Sequence, residues 1–374
     1  MAQPRNALSL ADLPTPCLVL DRSILARNLA AMAAALARHG VPLRPHMKTA
    51  KSMDVARMAL AGQPGGITVS TLAEAEYFAG HGITDILYAV GITPAKLDRV
   101  AALRRAGADV LVITDDPGAA AAIAAHPAGL GALIEVDSGE HRGGGAPSSP
   151  RLMEVAARLG PALRGVMTHG GHSYAGRSAP DMEAVAEQER AAAVGAAERL
   201  RAAGHAAAIV SVGSSPTALH ARHLQGVTEV RAGVYMLGDL FQASIGTHAM
   251  EDIALTVLAA VIGTRPAEHR LLVDAGGLAL SKDRSTQPTT DLGFGLVLDA
   301  LGRPTYGRSV VAQAYQEHGV VALDPALPFP GLHVGSLVRI APNHVCMTAA
   351  AHDRYWVVDG SDNVTADWPR MNGW

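Results

Sequence analysis

The sequence predicts an α/β fold: a (β/α)8 TIM-like barrel over residues 24–246, joined to a β-strand-rich domain made from residues 1–23 and 247–374. Two observations predict it. Up to Gly246, short apolar runs alternate with longer helical patterns, as repeated strand-helix units and a parallel sheet require. Beyond Gly246 the texture changes to β-branched runs and turns with no long helices between them. The length of 374 residues suits a barrel of about 250 residues plus a smaller module.

The opening segment TPCLVLD has the character of the later β runs, so it is expected to return to the second domain. Eight barrel strands follow, at 43–49, 66–71, 85–90, 109–114, 131–137, 163–170, 207–213 and 229–237. Eight such units fit a closed barrel, whereas an open doubly wound sheet usually has about five to seven strands. The alanine-rich stretches between them carry arginine and glutamate at helical spacing and are ordinary amphipathic helices. The second domain is read from ALTVLAAVIG, HRLLVDAGG, SLVRIAPNHVCMT and RYWVVDG.

Composition narrows the function classes. With 49% hydrophobic and 17% charged residues and a formal net charge of -3, neither nucleic acid nor an anionic membrane is an expected partner. No window of about eighteen apolar residues occurs, and the N-terminus lacks a basic region followed by an apolar core, so a cytoplasmic location is the default expectation. Two cysteines, Cys17 and Cys346, exclude a disulfide framework; each is a buried thiol or a chemical group.

Three places carry candidate chemistry. Alternation along the first barrel strand puts Arg44, His46 and Lys48 on one face, at the carboxyl end where barrel active sites form. A lysine crowded by cations is a usable amine near neutral pH, although a solvated edge strand would show the same polar face. The loops after the seventh and eighth strands, Gly213-Ser214-Ser215-Pro216-Thr217 and Arg231-Ala232-Gly233-Val234-Tyr235, offer the small residues and donors that a phosphate needs. Arg231 could equally be a strand-end arginine paired with Glu229 at the surface. His344 and Cys346, two apart on a predicted strand, would share a face and bind one ion, and thiolate with imidazole favours zinc over manganese or magnesium. A buried cysteine on a strand is also ordinary packing.

The stretch RPHMKTAK, with TPCLVLD before it and ITVSTLAEAE after it, resembles the fold-type III pyridoxal 5'-phosphate enzymes of the D-threonine aldolase and D-serine dehydratase family, whose barrel is alanine racemase-like. The resemblance runs nearly end to end. It implies that Lys48 carries the cofactor as a Schiff base, with His46 beside it. It implies a phosphate held at Gly213, Ser214, Ser215, Thr217, Gly233, Val234 and Tyr235, and Arg231 against the pyridine nitrogen. Arg142, in EVDSGEHRGG, is implied near the phenolic oxygen; His172 or His169, and Tyr174, are implied to line the ring or move protons. His318, in an E-H-G segment, is implied to reach the active site, and His344 and Cys346 to bind the metal. The H-x-C pair sides with the dehydratases of that family, and Leu278 stands where the aldolases carry a lysine. The implied activity is a zinc-dependent lyase acting on a 3-hydroxy D-amino acid, of the D-serine or 3-hydroxy-D-aspartate dehydratase type, giving a 2-oxo acid and ammonia. Retro-aldol cleavage to glycine and an aldehyde is the alternative; a racemase or a non-catalytic cofactor carrier comes third. A homodimer is implied by the resemblance alone.

Overall fold

The computed structural model describes residues 8–374, so the first residues of the expected second domain lie outside the described residues. A first strand β1 (Cys17–Asp21) precedes eight parallel strands: β2 (Leu43–Pro45), β3 (Ile67–Val69), β4 (Asp85–Gly91), β5 (Asp109–Thr114), β6 (Gly131–Glu135), β7 (Leu163–Met167), β8 (Ile209–Val212) and β9 (Glu229–Ala232). The parallel strands are ordered β2-β9-β8-β7-β6-β5-β4-β3. A parallel bridge between His46 and Thr68 joins the two ends of this order, which makes an alanine racemase-like, nearly closed TIM-type barrel. Leu87, Ile113, Leu133 and Met167, one from each of four successive strands, pack as an apolar cluster within it.

The remaining strands form an antiparallel β unit: β10 (Leu255–Arg265), β11 (Arg270–Val273), β12 (Leu296–Leu298), β13 (Val310–Ala314), β14 (Gly319–Ala322), β15 (Leu337–Ala341), β16 (Arg354–Val358) and β17 (Ala366–Pro369). Six of them close on themselves in the order β10-β11-β14-β13-β12-β15. The long β10 pairs with β11 through Val261–Arg265 and with β1 through Leu255–Leu258, and β1 pairs in parallel with β16. Cys17 packs here with Leu10, Leu13, Val19, Leu258 and Val358. Burial, with Asp274 nearby, pushes its thiol up to about 12, so Cys17 is a packing residue.

Two compact units result, residues 30–233 for the barrel and 8–29 with 234–372 for the β unit. Both boundaries lie inside the expected barrel limits of 24 and 246. At one, β1 draws the start of the helix Arg22–Ala37 with it. At the other, the helix Leu240–Ser244 is tied to the β unit by Leu240 and Phe241, whose N–H groups donate to the carbonyls of Pro342 and Asn343.

Several expected strands end early, and two of those ends change the site. The strand through 43–49 stops at Pro45, and Met47–Ala50 is a turn in which the Lys51 N–H donates to Met47 O at 2.7 Å. The strand through His344 and Cys346 stops at Ala341, because Pro342 has no N–H with which to continue the ladder. His344 is instead the N-cap of a short helix, Val345–Ala349, that contains Cys346. The strand expected at 229–237 likewise ends at Ala232, and Val234–Met236 is a 3-10 turn.

Candidate active site

At the amino end of the barrel, Arg44 is buried and fully committed. Its Nε donates to Glu229 Oε2 at 2.8 Å, and its two terminal nitrogens to Asp85 at 2.8 and 3.0 Å. It therefore does not share a face with Lys48, and Glu229 is Arg44's partner, with Ser211 Oγ donating to its other oxygen at 2.6 Å. The expected crowding of Lys48 by Arg44 is replaced by crowding from other groups.

At the carboxyl end, the turn after β2 presents Lys48 to solvent. His46 lies half-buried beside it, 3.5 Å from Ser70 Oγ. His169, just beyond β7, directs its Nδ1 at Gly213 O at 2.9 Å. That ring nitrogen must be the donor, which leaves Nε2 as an acceptor. Burial holds the imidazole of His169 down to about 3, with Lys48, Arg142 and Arg231 pushing the same way. His46 is lowered for the same reasons, burial first and then Lys48 and Arg231. Two neutral imidazoles thus flank one lysine.

The chain has four lysines, and the other three are occupied. Lys51 pairs with buried Glu74 at 3.3 Å, Lys96 donates to Tyr88 Oη at 3.4 Å, and Lys282 donates to Ala314 O. Among the described residues the Lys48 ammonium has no hydrogen bond or ion pair.

Arg231 on β9 is 3% exposed and donates to Ser211 Oγ at 2.6 Å and to Thr168 O. Burial lowers its pKa, while Glu189, Glu229 and Glu135 oppose the shift. It is an interior cation, not a surface partner of Glu229. Gly213 has φ +132°, a region that favours glycine, and its N–H points at Glu189. A Cβ at Gly233 would meet His46 O at 2.8 Å, so only glycine lets these strands' ends approach. Ser214 caps the turn Ser215–His220, accepting from Thr217 N at 3.2 Å, and its Oγ lies 2.9 Å from Ser173 Oγ. His172 and Tyr174 sit on the 3-10 turn Gly171–Ala175, where His172 Nε2 meets Gln188 Oε1 at 3.3 Å and Nδ1 is buried without a hydrogen-bond partner among the described residues. Arg142 is exposed on the loop after β6, 3.4 Å from Glu140. Val234 and Tyr235 are buried in the β unit, and burial raises the Tyr235 phenol.

In the β unit itself, the extended N-cap geometry of His344 turns its ring toward Cys346, with which it hydrogen-bonds. Asp283 Oδ2 stands 3.7 Å from His344 Nδ1. Burial works against the imidazolium, yet Asp283, Cys346 and Asp239 raise His344 to about 11, and Asp283 falls to about 2, chiefly through the His344 hydrogen bond. Asp239 is buried and accepts from Gln242 N at 2.8 Å and Val345 N at 3.1 Å. Asn343 pins the neighbouring loop: its Nδ2 donates to Asp283 O at 2.9 Å and Gly293 O at 2.8 Å, and its Oδ1 accepts from Thr286 Oγ1 at 2.9 Å. Among the described residues no cluster of three or more His, Cys, Asp or Glu forms a closed metal cage. A soft pair with a carboxylate beside it fits an ion that keeps positions open for other ligands. His318 is exposed on the β13–β14 hairpin, where its carbonyl accepts from Tyr315 N at 2.8 Å.

Sequence reading misses Glu189, Asp239, Asp283 and Asn343. Glu189 has a signal: it occupies one place in the buried stripe Met182, Ala186, Glu189, Ala193, Ala196, Leu200 of the helix Ala179–Ala202, where a charge is out of pattern.

A nearly closed parallel barrel with a lysine on the turn after its first strand, together with an antiparallel β unit, is the architecture of an alanine racemase-like protein. Comparison with known proteins agrees: residues 20–240 match the alanine racemase N-terminal domain and 254–358 a putative serine dehydratase domain. The chain belongs to the fold-type III pyridoxal phosphate family of the D-serine dehydratases and D-threonine aldolases, which are lyases. It is 45% identical over 98% of its length, and 99% of the relative's, to the D-threo-3-hydroxyaspartate dehydratase of Delftia sp. strain HT23. It is 30% identical to the 3-hydroxy-D-aspartate aldolase of Paracoccus denitrificans, over 96% of this chain and 92% of that one. The solved structure of the Delftia dehydratase superposes with a TM-score of 0.93 at 44% identity, covering 98% of this chain and all of that one. No described helix is long and apolar enough to cross a membrane.

Proposed function

We propose that the chain is a pyridoxal 5'-phosphate- and zinc-dependent dehydratase that converts a 3-hydroxy D-amino acid, with D-threo-3-hydroxyaspartate and D-serine as leading candidates, into a 2-oxo acid and ammonia. The observation that carries the cofactor half is Lys48, whose ammonium, alone among the four lysines, has no hydrogen bond or ion pair among the described residues. When bound, the cofactor supplies an electron sink for the α carbon, and the metal a Lewis acid for the β-hydroxyl. Lys48 holds the cofactor and moves the α proton at its Nζ. Gly213 to Thr217 and the Gly233 approach receive the phosphate. Arg231 would be the residue toward the pyridine nitrogen, a donor that keeps its own proton. His169, neutral and fixed by Gly213 O, accepts at Nε2 without adding charge.

His344 and Cys346 hold the metal, and Asp283 orients His344. Dehydration is favoured over retro-aldol cleavage by the thiol-imidazole pair and by the 45% identity to a dehydratase. A histidine-to-alanine and a cysteine-to-alanine variant of a D-threo-3-hydroxyaspartate dehydratase have been solved, two positions apart, the second in a metal-free form. The chain matches this spacing at His344 and Cys346. A cytoplasmic homodimer completes the reading.

The test incubates purified protein with D-threo-3-hydroxyaspartate, D-serine and D-threonine, assaying 2-oxo acid and glycine separately. Borohydride should fix the cofactor onto the peptide containing Lys48. Glycine with an aldehyde as the product, or a label on Lys51, Lys96 or Lys282, overturns the assignment.

A further inference from the structure

Glu189 is a buried carboxylate, 1% exposed, that none of the chemistry above uses. It projects from the helix Ala179–Ala202, and one of its oxygens, Oε1, accepts two backbone N–H groups: Gly170 at 2.6 Å and Gly213 at 2.9 Å. Those two residues lie on different loops. Gly170 follows His169 in the loop after β7, and Gly213 opens the loop after β8. Thr217 lies against the same carboxylate and lowers its pKa. The loops are also laced directly, by His169 Nδ1 to Gly213 O and by Ser173 Oγ to Ser214 Oγ, both at 2.9 Å. Glu189 is packed so closely that a Cβ at Gly170 would lie 3.0 Å from both its carboxyl carbon and Thr217 Cγ2. Taking a carboxylate out of water is costly unless charge and hydrogen bonds compensate it. Here both offset part of that cost, since Glu189 is also the leading carboxylate acting on the Arg231 guanidinium, while burial still holds its carboxyl above the ordinary range.

Building on the proposed cofactor site, we propose that Glu189 is a positioning residue that sets the phosphate-binding geometry of the Gly213–Thr217 loop and the orientation of His169 by clamping two barrel loops through one oxygen. The helix carrying Glu189 touches no reacting atom in this scheme. It acts through the loops: without the clamp, the N–H groups of Gly170 and Gly213 lose their shared partner, at the point where the loop after β7 meets the residue that leads into the Ser214–Thr217 cap. The geometry makes a sharp distinction between substitutions. In Glu189→Gln the amide oxygen can accept from Gly170 and Gly213, and its NH2 can donate to Thr217 Oγ1. Glu189→Asp is one methylene too short to reach both loops, and Glu189→Ala removes the acceptor.

The test measures dissociation constants of pyridoxal 5'-phosphate and of pyridoxal, which lacks the phosphate, for cofactor-depleted wild type, Glu189→Gln, Glu189→Asp and Glu189→Ala, by absorbance titration. Expected is a wild-type preference for the phosphorylated form that falls at least about tenfold in Glu189→Asp and Glu189→Ala and stays within about threefold of wild type in Glu189→Gln. A general loss of packing would weaken both ligands alike and leave the ratio unmoved. If Glu189→Ala does not fold, Glu189→Asp carries the comparison. A wild type with no preference for the phosphate overturns the proposed phosphate site, and this inference with it. A wild type with the preference and a Glu189→Asp variant that keeps it in full overturns this inference alone.

Discussion

Asn343 offers a direct test of how the metal-motif region is held together. Asn343→Ala deletes three hydrogen bonds from a side chain 2% exposed, and its partner Thr286 is fully buried. Counting about 1 kcal/mol net for each bond sets a floor of about 3 kcal/mol, and unpaired buried partners add roughly 1 kcal/mol or more each. A loss of about 3–5 kcal/mol is expected, near the upper range for single substitutions. For a body of this size, about 2–4 °C per kcal/mol converts this into a fall of about 6–20 °C in the melting transition of the β unit by scanning calorimetry. Because Asn343 also fixes Asp283, whose carboxylate stands 3.7 Å from His344 Nδ1, zinc affinity measured by competition with a chelator should fall in the same variant. A melting shift below about 3 °C, with unchanged zinc affinity, would refute the reasoning.

Arg231→Gln strips the interior cation from Glu135, Glu189 and Glu229, and should cost about 3–5 kcal/mol. Glu135 and Glu189 already sit above the ordinary 4.5 through burial, and they would rise further. A carboxyl raised in the folded state costs stability above its folded pKa and ceases to cost it below its unfolded one. The melting deficit should therefore be largest near about pH 8 and shrink toward about pH 5; a deficit that grows on acidification would contradict this. His169, held near 3 against an ordinary 6.5, contributes the opposite slope: the stability tied to its neutral form is full above 6.5 and is lost as pH falls toward 3. Its imidazole resonances should stay flat by NMR between about pH 8 and about pH 5, and a midpoint near 6.5 would disprove the buried neutral ring. Cys346→Ala should lose zinc by elemental analysis and product formation by several orders of magnitude while keeping the cofactor absorbance, and Cys346→Asp should shift preference toward manganese. Wild-type turnover in Cys346→Ala would remove the metal from the reading.

The barrel is legible because its signal is repetitive: eight apolar runs separated by helices survive errors of a residue or two at each end. The shorter strands β12, β13, β14 and β17 are not legible, since each has only three to five residues between turns and packs by pairing that local sequence does not record. Lys48 can be picked out from its motif, but its neighbours cannot. Alternation assigns Arg44 to its face, whereas the early strand end at Pro45 breaks the alternation before Lys48 is reached. The same failure occurs at Pro342, where a proline ends the strand and turns an i, i+2 strand pair into a cap and its helix. Asp283 and Asn343 are invisible for a different reason. Their meeting with His344 depends on the fold's bringing distant loops together.

The place of β1 has a consequence for how the chain is made. β1 lies between β10 and β16, so its removal would open two strands in the body of the sheet instead of trimming an outer one. A ribosome adding about 5–20 residues per second exposes β1 tens of seconds before β16 exists. The barrel, whose strands all lie between residues 43 and 232, can close in the meantime, while the apolar CLVLD waits with both edges open. Early in synthesis this strand is the place where a chaperone would have the most to cover, and a bulky fusion that hinders its threading should lower the yield of soluble protein more than it lowers the activity of what folds.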